Sequence, residues 1–125
     1  MYIANALQPE GVRPSFERAI DLVHLARQTL GDRALEREVL DLFVIQARSV
    51  LALLQASPDQ KRRADLAHTL KGSARSVGAW RVAAQAEACE AMIAASDASW
   101  QKALDDLSGA VREAVGAING FAQAA

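Results

Sequence analysis

Apolar residues return every three or four positions along most of this 125-residue chain, and only short turns interrupt them. That period puts them on one face of an α-helix, where a strand would alternate them. It predicts four long helices. Asp32 can cap the first, from about Arg33 to Ala56, whose buried face is Val39, Leu42, Phe43, Ala47, Val50 and Leu54, widened by Leu40, Val44 and Leu51. Pro58 ends it, and Asp59 can cap the next, from about Gln60 to Val77, with Leu66, Leu70, Ser73 and Val77 in register and Gly78 as its stop. A third runs from about Ala79 to Ala95 on Val82, Ala86, Cys89 and Ile93. Asp97 or Ser99 can cap the fourth, whose stripe of Trp100, Leu104, Leu107, Val111, Ala114 and Ile118 ends near Gly120.

A shorter helix, from about Asp21 to Leu30, precedes these, with Asp21 as its cap and Gly31 suited to the left-handed position that closes it. Residues 1–14 contain Pro9, Gly11 and Pro14 and read as an irregular arm; residues 15–125 form one domain. Connections this short force neighbouring helices to run antiparallel. The expected fold is therefore all-α, an antiparallel up-down four-helix bundle with a short additional N-terminal helix. Its core should include Leu42, Phe43, Leu66, Leu70, Val82, Ile93, Leu104, Leu107 and Val111.

Composition agrees: alanine supplies 27 residues and aromatics only 5%. A net charge of −1 gives no basic surplus for nucleic acid or an anionic membrane. The lone cysteine, Cys89, excludes an intramolecular disulfide and a cysteine-based zinc cage; it reads as a small core residue. No signal-peptide pattern and no stretch of about 20 apolar residues is evident. A cytoplasmic monomer is expected.

The helix over 60–77 carries the chemistry. At about 100° per residue, His68 lies opposite Leu66 and Leu70. Lys61 and Arg75 fall almost on the line of His68, Ala64 and Gly72 lie one turn to either side, and Lys71 follows three residues on. An exposed imidazole among small residues and cations suits phosphoryl transfer through histidine. Neutral imidazole is nucleophilic near pH 7, and a phosphorylated ring carries about two negative charges that Lys71 and Arg75 can partly neutralise. Gly72 leaves room for a close partner, at about 1 kcal/mol of helix propensity. Lys61, Arg62 and Arg63 at a helix N-terminus oppose the helix dipole, a mild sign of an anionic partner. His24 has no second ligand at metal spacing, and Trp80 and Trp100 read as packing residues.

The segment His68–Ala79, HTLKGSARSVGA, resembles the signature of histidine phosphotransfer (HPt) domains of bacterial phosphorelays, roughly H-x-L-K-G-S-[SA]-x-x-[LV]-G, at every specified position. Leu40–Phe43 matches the family's L-x-x-F on the second helix. The resemblance spans about residues 20–118. It implies that His68 is the phosphoacceptor, Lys71 the phosphate-stabilising cation and Gly72 the residue that admits the partner. Gly78 would be the turn, and Glu90 stands where the family often has Glu or Gln beside the histidine. Lys61, Ala64, Asp65, Gly72, Arg75 and Glu90 are the expected partner contacts. The implied partners are receiver domains of a hybrid histidine kinase and of a response regulator. Any Mg²⁺ would sit on the receiver, so no metal or other cofactor is expected here. No Walker loop or kinase signature is present, so the chain is expected to be a phosphocarrier without an ATP site. The alternative is a non-catalytic adaptor binding a signalling partner through Leu40, Val44 and Leu51; the intact His68, Lys71 and Gly72 argue against it.

Overall fold

The computed structural model describes residues 14–124. The expected arm falls almost wholly at residues 1–13, outside the described residues. Five helices follow: α1 (Leu22–Gln28), α2 (Arg33–Ala56), α3 (Gln60–Val77), α4 (Trp80–Ala91) and α5 (Asp97–Ala124). No strand occurs among the described residues. Each of α2 to α5 packs on the next, α5 closes back on α2, and α1 lies against α3. This is the all-α bundle with a short additional helix.

Side-chain caps start the helices. Asp21, Asp32 and Asp59 each accept the backbone N–H three residues on, at 3.2, 3.0 and 2.9 Å. At α5 the cap is neither Asp97 nor Ser99: the Ser96 hydroxyl accepts from the Ser99 N–H at 3.2 Å. The end of α1 also differs from expectation. Gly31 donates back to Ala26 at 2.9 Å, which makes Leu30, and not the glycine alone, the residue that must turn left-handed, at φ 53°.

The buried stripes are turned by no more than about half of one residue's 100° step from those expected. On α2, Leu40, Phe43, Val44, Ala47, Val50 and Leu54 are buried, whereas Leu42, expected inside, is 60% exposed. Leu42 lies about 100° round the helix from Phe43, on the far side from Leu40 and Val44. Burial of Leu40 and Val44 also removes the face on which an adaptor reading rested. On α3 the buried stripe is Ala67, Leu70, Ala74 and Val77, so Leu66 and Ser73 are only partly covered. On α4 it is Val82, Ala83, Ala86 and Cys89, and Ile93, beyond the helix end, is partly covered. Small residues make up much of both stripes, and α3 and α4 pack against each other. Phe43, Leu70, Val82, Leu104, Leu107 and Val111 are buried as expected. Burial pushes the Cys89 thiol up to about 11, with a smaller push from Asp106, so it stays protonated and unreactive.

Among the described residues one helix, α2, is long and apolar enough to cross a membrane, contrary to the expectation that no segment approaches a span. Its Phe43–Leu54 face is nonetheless part of the bundle core.

Asp21 holds the end of the bundle. Its carboxylate accepts from the Ser15 N–H at 3.0 Å, the His24 N–H at 3.2 Å and the Trp80 indole N–H at 2.9 Å. Its own N–H donates to the Gly78 carbonyl at 2.9 Å. Gly78 is left-handed at φ 81°, and a Cβ there would meet the Asp21 carbonyl oxygen at 2.9 Å. Only glycine satisfies both demands. Burial acts to raise the Asp21 pKa, but the hydrogen bonds from Trp80, Ser15 and His24 outweigh it, and the carboxyl titrates below its ordinary range.

Candidate functional site

His68 stands in the middle of α3, on the face turned away from Leu70 and Val77. Its side chain is 72% exposed. The position follows from the buried stripe: once Ala67, Leu70 and Ala74 face inward, the helical period turns residue 68 out.

Glu90 on α4 joins the site. Its Oε2 lies 3.4 Å from His68 Nδ1, and its Oε1 lies 2.7 Å from Lys71 Nζ. The contact with Lys71 is a close ion pair. Burial acts to raise the Glu90 pKa, but Lys71, followed by His68, reverses the sign and keeps the carboxyl below its usual range. Glu90 is therefore an anion near neutral pH, and an anionic carboxylate only accepts hydrogen bonds. Its contact with Nδ1 selects the imidazole tautomer that carries its proton there, leaving the Nε2 lone pair free.

Lys71 is less available than the sequence suggested. Its side chain is only 14% exposed, with its stem laid against the bundle and its ammonium already paired. Gly72 is exposed, and an added Cβ would meet no atom within 4 Å. The space over it belongs to solvent, so helix packing does not require glycine. Ala64 is partly buried one turn before His68.

The remaining expected contacts are ordinary surface charge in this state. Lys61 pairs with Asp65 at 3.3 Å on the same helix, and Arg75 with Glu87 on α4 at 3.7 Å. Arg63 has a structural role: it donates to the Ser57 carbonyl at 2.7 Å and lies 4.5 Å from the centre of the Trp100 ring. This weakens the basic run at 61–63 as a sign of an anionic partner. His24 meets Trp80 edge-on at 4.8 Å and belongs to the Asp21 end of the bundle. Among the described residues, no group of three or more His, Cys, Asp or Glu could hold a metal ion.

The three-residue chain His68–Glu90–Lys71 was only half visible in the sequence. Residues 68 and 71 are neighbours on any helix, but which α4 residue faces them depends on how α3 and α4 pack.

Among known families, the model of the Hpt domain matches residues 38–120, about two-thirds of the chain, including all of α3 and α4. No curated protein and no solved structure gave a significant match.

Proposed function

Because this chain belongs to the Hpt domain family, whose members carry phosphoryl groups in phosphorelays, we propose that it carries one on His68 between the aspartates of two receiver domains. The observation that carries this reading is the state of the imidazole. It is open to a macromolecular partner, and its Nδ1 is held by an anion that leaves Nε2 as the nucleophile.

Nε2 attacks the phosphorus of an aspartyl phosphate on the donor receiver. The P–O bond breaks, the electron pair leaves with the receiver's carboxylate, and a P–N bond forms. The proton on Nδ1 stays there, shared with Glu90, and stabilises the cationic ring as the bond develops. The new phosphoryl group adds about two negative charges one turn from Lys71. That charge competes with Glu90 for the ammonium, so Lys71 turns from a structural ion pair toward the phosphoryl oxygens. The return transfer to a second receiver reverses these steps. Any Mg²⁺ the transfer needs belongs to the receiver pocket that closes over His68. With no ATP-binding signature of its own, the chain acts as a phosphocarrier. Lys61 and Arg75, with Ala64, Asp65 and Gly72, form the surrounding contact area, where charge steers the encounter and salt weakens it.

The test is incubation with a phosphorylated receiver. An acid-labile, base-stable phosphoryl group should appear on the chain, His68→Gln should abolish it, and His24→Gln should leave it intact. Labelling that survives His68→Gln refutes the assignment.

A further inference from the structure

The long helix α2 is apolar on two faces, and the bundle covers only one. From about 80° to 160° round the helix from Phe43, Leu35 (40%), Leu42 (60%), Ile45 (66%) and Leu53 (39%) are exposed. With exposed Glu38 and Ser49 they occupy an arc of about 80°. Asp41 and Arg48 lie about 40–60° to one side of Ile45, both exposed. Among the described residues, neither has an ion-pair partner. The described part of the N-terminal segment is elsewhere: the Phe16 carbonyl accepts from Arg81 on α4, diagonally across the bundle.

We propose that this stripe is a self-association surface, and that a second copy of this chain covers it through an antiparallel, two-fold α2–α2′ contact. The argument is self-complementarity. A two-fold axis requires that if residue i meets j′, then j meets i′. Set the axis at Val44, the middle of α2. Leu42 then comes level with Ile45′, Leu35 with Leu53′, Glu38 with Ser49′ and Asp41 with Arg48′. All four pairings share that midpoint to within about half a residue, closer than one turn's reach of a side chain. Apolar residues meet apolar residues, the carboxylate in the stripe meets a hydroxyl, and the two flanking charges meet opposite charges twice over. A two-fold with this axis keeps the Asp41–Arg48 flank of one helix beside the same flank of the other. Four helices within one chain make a dimer unnecessary for folding, which was the ground for expecting a monomer, but they leave this face unsatisfied.

The experiment is sedimentation of the whole chain across a concentration series, with two charge reversals. Asp41 and Arg48 are exposed and unpaired among the described residues, so Asp41→Arg and Arg48→Asp should keep the wild-type helical signal, and its melting profile at concentrations where the wild type is dissociated. The wild type should show a monomer–dimer equilibrium. Each reversal alone places like charges opposite one another at both ends and should weaken dimerisation roughly tenfold or more. Mixing the two variants in equal amounts should restore the dimer as a heterodimer. The arginine introduced in one chain then faces the aspartate introduced in the other, and the native Arg48 of the first faces the native Asp41 of the second. A wild type that stays monomeric up to roughly 1 mM overturns the proposal. So do single variants that dimerise as well as the wild type, or a mixture no better than its parts. If the chain is monomeric and Leu42→Asp lowers its affinity for a receiver, the stripe belongs to the receiver and the dimer is wrong. The readout is mass in solution, so its failure leaves the role of His68 untouched.

Discussion

Gly72→Gln separates the docking of a partner from the chemistry at His68. In the structure the glycine is in mid-helix, exposed, with nothing within 4 Å of an added Cβ. No neighbour has to move in the isolated domain, so the change in stability is helix propensity alone. Glycine to glutamine in a helix interior gains about 0.5–1 kcal/mol. For a domain of this size that raises the melting temperature by roughly 2–6 °C. The docked state is different. Residue 72 is one turn from His68 on the same face, and a receiver that reaches Nε2 must lie against it. A glutamine side chain forced into a close contact costs about 1–3 kcal/mol, or roughly five- to 150-fold in transfer. The assays are thermal melting, transfer from a phosphorylated receiver, and labelling by phosphoramidate, a donor too small to touch residue 72. The expected result is a higher melting temperature, unchanged phosphoramidate labelling and slowed receiver transfer. A lower melting temperature refutes the open-face argument, and undiminished receiver transfer removes Gly72 from the docking surface.

Lys71→Ala should slow receiver transfer roughly five- to thirtyfold by removing one charge-assisted contact. It should also lower stability by about 1 kcal/mol, because it strands a three-quarters-buried Glu90 carboxylate; kinetics identical to wild type would confine Lys71 to the structural pair. Asp21→Ala removes three hydrogen bonds to one buried carboxylate and should cost about 3–5 kcal/mol by denaturant titration, while phosphoramidate labelling of His68 at moderate temperature persists. The pKa values of Asp21 and Glu90 are both depressed in the folded chain, so their contribution is complete above the ordinary carboxyl range, from about pH 5 upward, and is lost as pH falls through their lower folded values. Acid titration of the wild type should show this loss, and Asp21→Asn should flatten part of it. Leu30→Gly, at the exposed left-handed position after α1, should stabilise by about 0.5–1 kcal/mol, since glycine avoids the Cβ strain there.

The helices, three of their aspartate caps and the outward turn of His68 were legible because each is set by residues within a few positions of one another. The register of the core was less so. In an alanine-rich chain, Ala67 and Ala74 carry no more hydropathic contrast than Ala64, and the eye goes to Leu66 and Leu42, which the packing leaves partly or largely outside. Long-range roles were not legible at all. Nothing local ties Asp21 to Trp80 or Arg63 to Trp100. The meeting of His68, Lys71 and Glu90 needed a resemblance to suggest it and the α3–α4 packing to bring it about.

The clasp at Asp21 also orders events in time. The bond between Asp21 and the Trp80 indole joins residues 59 apart in the chain. A helix of seven residues such as α1 does not hold its shape alone in water. Its stabilising partners, Gly78 and Trp80, exist in place only after α3 has turned into α4. This short helix precedes α3 and α4 in the chain but is therefore among the last of the described elements to become structured, and loop closure across those residues should place its contacts after the folding barrier. Once formed, it should also be the first part to open. Amide hydrogens in α1 should exchange through a local opening well below the free energy that protects Leu70 and Leu107 in the core.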